Sequence, residues 1–304
     1  MRITFNMMAR RALDDVLLSA QRLQDAQQRV STGKRISKPS DDVSGTGRAL
    51  NLRSTISEIA QYLKNADSVK SGLELTNGAL DSIVTTLQQV RVLALQGANT
   101  TTTPEARTAM CAELDQIMDS LTALGNSQYA GKYIFAGSAT NSPPFVPSGS
   151  PTPPCSYVGN SALVSVQVAP WTNASCNVTG ETLFNMGSSA VPASPDLLST
   201  IQALKDEIEA GNTQAISARI ADVDANLNNV ITIRSEVGAR VSRIETITTS
   251  LQDSKVSLSI LLSKTEDADL TEAVLDLRTR ENIYQAAVST AGRIMQITLA
   301  DYIK

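Results

Sequence analysis

The feature that most constrains this chain is an apolar repeat at alternating steps of three and four residues, the signature of helices that pair along their length. Near the start it reads Leu13, Val16, Ala20, Leu23 and Val30. A second, longer run passes through Leu52, Ile56, Ile59, Leu63, Ala66, Leu73, Leu80, Val84 and Leu87, interrupted only by Lys70 and Asn77. A third runs from Ile216 through Val223, Val230, Val237 and Ile244 to Leu251. The last covers Val274, Leu277, Tyr284, Val288, Ala291, Met295 and Leu299. One helix over residues 50–98 would span about 70 Å at about 1.5 Å per residue, far beyond the usual globular length. A further helix opens at Thr103-Pro104-Glu105, with a Thr cap, Pro at the first helical position and an acid in the first turn.

Between these helical ends the composition changes. Pro143, Pro144, Pro147, Pro151, Pro153, Pro154 and Pro170 crowd one stretch. Within "ALVSVQVAP", Val164, Val166 and Val168 alternate with Ser165 and Gln167, the period of a strand, and "GKYIFAG" and "SYVG" are also strand-like. The pattern predicts a mainly α chain, with long helices at both ends and a small β-rich insertion between them.

Chemistry is harder to find. The sequence has no His, which removes the commonest general base and metal ligand. No CxxC pair exists, and no nucleophile has a base at a recognisable spacing. The residues therefore predict no enzyme, no cofactor and no metal. A net charge of −4 with scattered Lys and Arg argues against a nucleic-acid surface. No apolar run is long enough for a membrane span, and Arg10, Arg11, Asp14 and Asp15 break up any signal-peptide core.

"STGKRISKPSDDVSG", residues 31–45, is the one stretch that invites a phosphate-loop reading. A phosphate loop needs a strand before it and Ser or Thr after its Lys, and here a helical period comes before and Arg35 follows Lys34. A corner between helices explains each residue instead. Gly33 ends the first helix, Pro39 blocks its continuation, Ser40 is the expected cap of the next, and Asp41 and Asp42 suit its positive end.

The stretch continuing to "GTGRAL" resembles the N-terminal motif of bacterial flagellins and their hook-associated relatives. The resemblance extends through "NADSVKSGLELTNGALDSIVTTLQQVRVLALQGAN" (65–99), "RSEVGARVSRIE" (234–245) and "TEDADLTEAVLDLRTRENIYQAAVSTAGRIMQITLADYIK" (265–304). Within the family two roles compete: filament subunit, and adaptor between hook and filament. "GKYIFAGSATNSPPF" followed by "SYVG", together with the small insertion, resembles the adaptor.

The resemblance implies residues 1–42 with 267–304 as an inner helical pair, 43–135 with 196–266 as a long-helix rod, and 136–195 as an outer insertion. It implies a ring of copies between the other hook-associated protein and flagellin. It also implies a cytoplasmic export chaperone on the C-terminal helix, and an extracellular location reached without a cleaved signal. An oxidising exterior would permit a disulfide between Cys155 and Cys176, which flank the alternating stretch. The rival readings are a filament subunit and a cytosolic coiled-coil scaffold.

Overall fold

A helix with a long apolar stripe is stable in water only when another helix covers the stripe, and this chain supplies the cover from its other half. The computed structural model describes residues 5–100, 102–149, 155–186 and 196–302, with side chains described between 7 and 294. It divides into two compact units, residues 1–58 with 254–304, and residues 59–253.

The central unit is built on two helices that continue into the other unit: α2 (Val43–Gly97), 55 residues long, and α6 (Thr213–Glu266), 54 residues long. Ala66, Val69, Leu73, Leu80, Ile83, Leu87 and Val90 of α2 share one core with Ile216, Val223, Val230, Val237 and Ile244 of α6. The buried stripe of α2 differs from the expected one at alternate positions. It passes through Val69, Thr76 and Ile83, each one residue before a position in the sequence repeat. Lys70 and Asn77 therefore do not interrupt it. Lys70 stands at the flank and pairs with Glu245 of α6 at 2.8 Å. Buried Thr76 satisfies its hydroxyl by donating to the Gly72 carbonyl at 2.8 Å.

Two more pairs follow along the same antiparallel seam. Asp81 meets Arg234 at 2.8 Å and Arg91 meets Asp224 at 2.7 Å. In each of the three pairs the residue numbers sum to the same value, so all report one register. Their polarity alternates, about three turns apart. A slip of α6 by that distance sets Lys70 against Arg234 and Asp81 against Asp224, like charge against like.

Helix α3 (Pro104–Gly125) begins as its sequence dictates, the Thr103 hydroxyl accepting from the Ala106 N–H at 3.3 Å. Cys111, Leu114, Ile117 and Leu121 join it to the core. Among the described residues the strands form three separate two-stranded antiparallel sheets: β1 (Gln128–Tyr129) with β2 (Lys132–Tyr133), β3 (Phe145–Pro147) with β4 (Cys155–Tyr157), and β5 (Ser165–Ala169) with β6 (Thr172–Ser175). The short α4 (Gly180–Phe184) follows them, and α5 (Leu197–Ala210) returns the chain to the helices.

Aromatic packing fastens this segment to the end of α3. Phe145 lies edge-on to Phe184 with ring centroids 4.6 Å apart, and 5.4 Å from Tyr157. Gly125 makes that approach possible, because a Cβ there would lie 2.7 Å from the Phe145 ring. At the tip of the β5–β6 hairpin, Pro170-Trp171 makes the turn with Trp171 at φ 63°. A left-handed backbone at a side chain of this size costs about 1–2 kcal/mol.

The terminal unit pairs α1 (Phe5–Thr32) with α7 (Leu270–Tyr302), and includes the first turns of α2 and the last turns of α6. Among its described residues only Ala26, Ile36 and Ala49 are buried apolar side chains.

Candidate assembly interface

The sequence repeat along α1 and α7 is wider than the contact it makes within the chain. On α1 the more covered positions are Ala9, Ala12, Val16, Ser19, Leu23, Ala26 and Val30, a strict three–four alternation of mostly small residues. Small side chains let two helices approach closely but bury little. Val16, Leu23 and Val30 of the expected seam lie on this contact face, and Ala20 is half-buried beside it. Leu13 does not: it is 55% exposed, alongside Leu17 at 56%.

The C-terminal helix repeats the arrangement. Its covered positions are Ala273, Leu277, Arg280, Tyr284, Ala287, Ala291 and Ile294. Leu277, Tyr284 and Ala291 of the expected seam fall on that face, whereas Val274 and Val288 are exposed. Met295 and Leu299 lie outside the described side chains. Leu270, Leu275 and Ile283 add further exposed apolar surface on α7, as do Val256, Ile260 and Leu261 at the end of α6. Exposed apolar side chains grouped in this way are of the kind found at protein–protein contacts.

Residues 33–45 form the joint between α1 and α2. Gly33, at φ +68°, ends α1 with its N–H on the Arg29 carbonyl at 2.9 Å. Pro39 lies in the turn between α1 and α2. Ser40 was expected to cap α2, and the cap is Asp42, whose Oδ1 accepts from the Gly45 N–H at 2.8 Å. The helix starts two residues later than that expectation because Asp41 is used differently. Its Oδ2 accepts from the backbone N–H groups of Ser37 and Lys38, at 3.0 and 2.9 Å, and closes the preceding turn. Those two bonds hold the Asp41 carboxyl below its ordinary pKa, the Lys38 bond contributing most. The Gly45 bond does the same for Asp42, helped by the Arg35 charge.

This corner meets a second one between α6 and α7. The Glu266 carbonyl accepts from the N–H groups of Arg35 and Ile36 at 2.7 and 3.3 Å, and the Ala268 N–H donates to the Gly33 carbonyl at 2.9 Å. The Glu266 carboxylate is buried, 2.5 Å from Lys34 Nζ and also hydrogen-bonded by Arg53. Burial on its own would raise the pKa of this carboxyl; the hydrogen bonds and charges of Lys34 and Arg53 outweigh it, and the net shift is downward. Sequence reasoning missed Glu266, since a lone Glu in "KTEDAD" carries no signal until the two corners are brought together.

The cysteines do not pair. Cys155 and Cys176 are both free. Cys155 lies against α3, with its sulfur 3.6 Å from the Thr122 hydroxyl, whereas the Cys176 thiol donates to the Val164 carbonyl at 3.1 Å within its own hairpin. Pro151, Pro153 and Pro154, which precede Cys155, lie outside the described residues. Burial pushes the thiols of Cys111 and Cys176 up, the opposite of what a reactive thiolate needs. Among the described residues no three His, Cys, Asp or Glu side chains are grouped to hold a metal, and no helix is long and apolar enough to cross a membrane.

Comparison with known proteins agrees with this geometry. Residues 3–140 match the bacterial flagellin N-terminal helical region and residues 220–303 the bacterial flagellin C-terminal helical region. The flagellar hook-associated protein 3 of Salmonella typhimurium is 27% identical over 95% of this chain and 96% of its own length. A flagellin of Halalkalibacterium halodurans is 25% identical over 94% of this chain and 92% of its own. Among solved structures, a flagellar hook-associated protein from Vibrio parahaemolyticus superposes with a TM-score of 0.67 at 27% identity, covering 75% of this chain and all of its own.

Proposed function

Because this chain belongs to the bacterial flagellin family, matched in both of that family's helical regions, we propose that it is the structural adaptor between the flagellar hook and the filament. The observation that carries the reading is the terminal unit. Its helices leave Leu13, Leu17, Val274, Leu275 and Val288 exposed, and among the described residues of that unit only three apolar side chains are buried. Ordering a residue costs roughly 1–2 kcal/mol of backbone entropy, and a pair with so little burial recovers that only against neighbours. Neighbouring copies provide the cover, and folding of the termini is coupled to position in a ring.

The family's members are structural proteins of the flagellum, and the chain's residues assign it no chemistry. In the proposed role one face of the ring meets the other hook-associated protein and the opposite face meets flagellin. Such heterologous contacts need no self-complementary patch. In this reading the terminal helices serve as the inner pair, the long helices as the body and residues 136–195 as the outer part. Before export, a cytoplasmic chaperone shields the exposed stripe of α7, and the chain leaves through the flagellar export channel to act outside the cell.

Immunogold labelling on flagella tests the adaptor role. Label confined to the boundary between hook and filament is the expected result. Label along the whole filament would make the chain a filament subunit, and label in the cytoplasm alone would reject both. A chain lacking residues 1–42 is expected to leave hooks without filaments.

A further inference from the structure

The single tryptophan of the sequence, Trp171, stands at the tip of the β5–β6 hairpin, 100% exposed and at φ 63°. A bulky side chain at positive φ is uncommon, and such strain persists where the local geometry serves a function. Pro170 fixes the backbone before it, so the indole is presented by a stiff turn. A large, preorganised aromatic loses little entropy on contact, which is why such residues anchor protein interfaces.

The other end of the same hairpin borders a cavity of 510 Å³. Val164 and Val166 form one wall, Tyr129 and Tyr133 of the first hairpin another, and Gly72 of α2 opens the floor. A glycine in a helix interior is unfavourable relative to alanine, and here a Cβ would come no nearer than 4.0 Å to the Tyr129 ring. Lys132 also borders the cavity, and a lysine ammonium attracts the face of an aromatic ring. Val166 and Trp171 are five residues apart along the hairpin, roughly 16 Å at about 3.3 Å per residue. The indole and the cavity are therefore displaced along one element.

We infer that Trp171 of one copy inserts into this cavity on a neighbouring copy. The occupant is a second copy because one chain carries both complementary halves, an uncovered indole and an aromatic-walled cavity bordered by a cation. The displacement makes the contact heterologous: each copy donates at one end and accepts at the other, so it propagates from copy to copy. The inference rests on the reading that copies of this chain stand side by side, and it adds the contact between their outer hairpins.

Trp171 is its own probe, since no other tryptophan contributes to the emission. In the full-length protein, raising the concentration from about 1 μM to about 1 mM is expected to shift the emission saturably to the blue, in step with a rise in sedimenting mass. Trp171→Ala removes the anchor and Gly72→Leu fills the cavity with a helix-favouring residue; each is expected to stay monomeric across that range. An equimolar mixture of the two is expected to associate, because one chain retains the indole and the other the cavity. Circular dichroism establishes that both variants are folded. Lys132→Glu, on an exposed residue, is a second variant and is expected to weaken association several-fold. Emission that stays at the fully exposed position throughout overturns the inference. So does a blue shift that persists in Gly72→Leu, or a mixture that fails to associate when both variants are folded. None of these failures touches the adaptor role, which is read from the position of the label and the loss of residues 1–42.

Discussion

At the scale of single residues, two glycines two positions apart at the start of α2 carry opposite requirements. A Cβ at Gly45 would lie 2.6 Å from Ile36 Cδ1 and collide with the Asp42 carboxylate, while Gly47 has nothing within 4 Å. Gly45→Ala is expected to destabilise the corner by about 1–3 kcal/mol through overpacking. Gly47→Ala is expected to stabilise it by about 0.5–1 kcal/mol through helix propensity. Amide exchange at Arg35 and Ile36, whose N–H groups bridge the two corners, reads both. Glu266 gives the pH dependence. Its folded pKa is lowered, so its contribution is fully present above the ordinary glutamate value of 4.5 and is lost as pH falls through the lowered folded value. Glu266→Gln removes that titration. It is expected to cost about 1 kcal/mol at neutral pH, less than a fully desolvated charged hydrogen bond, because Lys34 and Arg53 stay 42% and 47% exposed and solvated. The Arg35, Ile36 and Ala268 amides then exchange about fivefold faster, and the acid dependence below pH 4.5 loses the Glu266 share while that of Asp41 and Asp42 remains.

At the scale of elements, the α2–α6 pair is held by an apolar seam that is strong but indifferent to small slips, and by charges that are weak but specific. Val69 and Lys70 separate the two. Val69→Ala opens a hole beside Leu73 and is expected to lower stability by about 1–2 kcal/mol, whereas Lys70→Ala leaves the core intact. Reversing Lys70 to Glu is expected to lower the thermal midpoint, and adding Glu245→Lys to restore it, a coupling that fades as salt is raised. A midpoint that falls further in the double reversal would show that this pair does not read the register. The terminal pair α1–α7 has no comparable seam. Nearly half of its contact face is alanine, and only part of its larger apolar set lies there: Val16, Leu23, Val30 and Leu277 face the contact, while Leu13, Leu17, Val274 and Val288 are exposed.

At the scale of the whole molecule, the two units differ in kind. Residues 59–253 carry a continuous core through α2, α3, α5 and α6, and residues 1–58 with 254–304 carry exposed apolar stripes. Limited proteolysis of the purified monomer is therefore expected to remove both termini and leave a resistant fragment close to residues 59–253. That fragment should keep its cooperative unfolding and fail to assemble. Termini that resist protease in the monomer would mean that the terminal unit is stable by itself, contrary to its sparse burial.

The sequence by itself determined that this chain is helical at both ends and interrupted in the middle, because three–four periodicity and proline crowding are local properties. It also determined the Thr103 cap and the end of α1 at Gly33, each set by a residue and its near neighbours. Tertiary structure decided which side of each stripe is buried. Ala12 and Leu13 satisfy the helical period equally, and only the partner helix chooses between such neighbours one position apart. It decided the partners of Glu266, which lie more than two hundred residues away in the chain. It parted Cys155 from Cys176, since nearness in sequence says nothing about which element each thiol packs against. The full exposure of Trp171 was likewise invisible in the alternating pattern around it, because a strand period gives the face of a residue and not whether anything lies opposite that face.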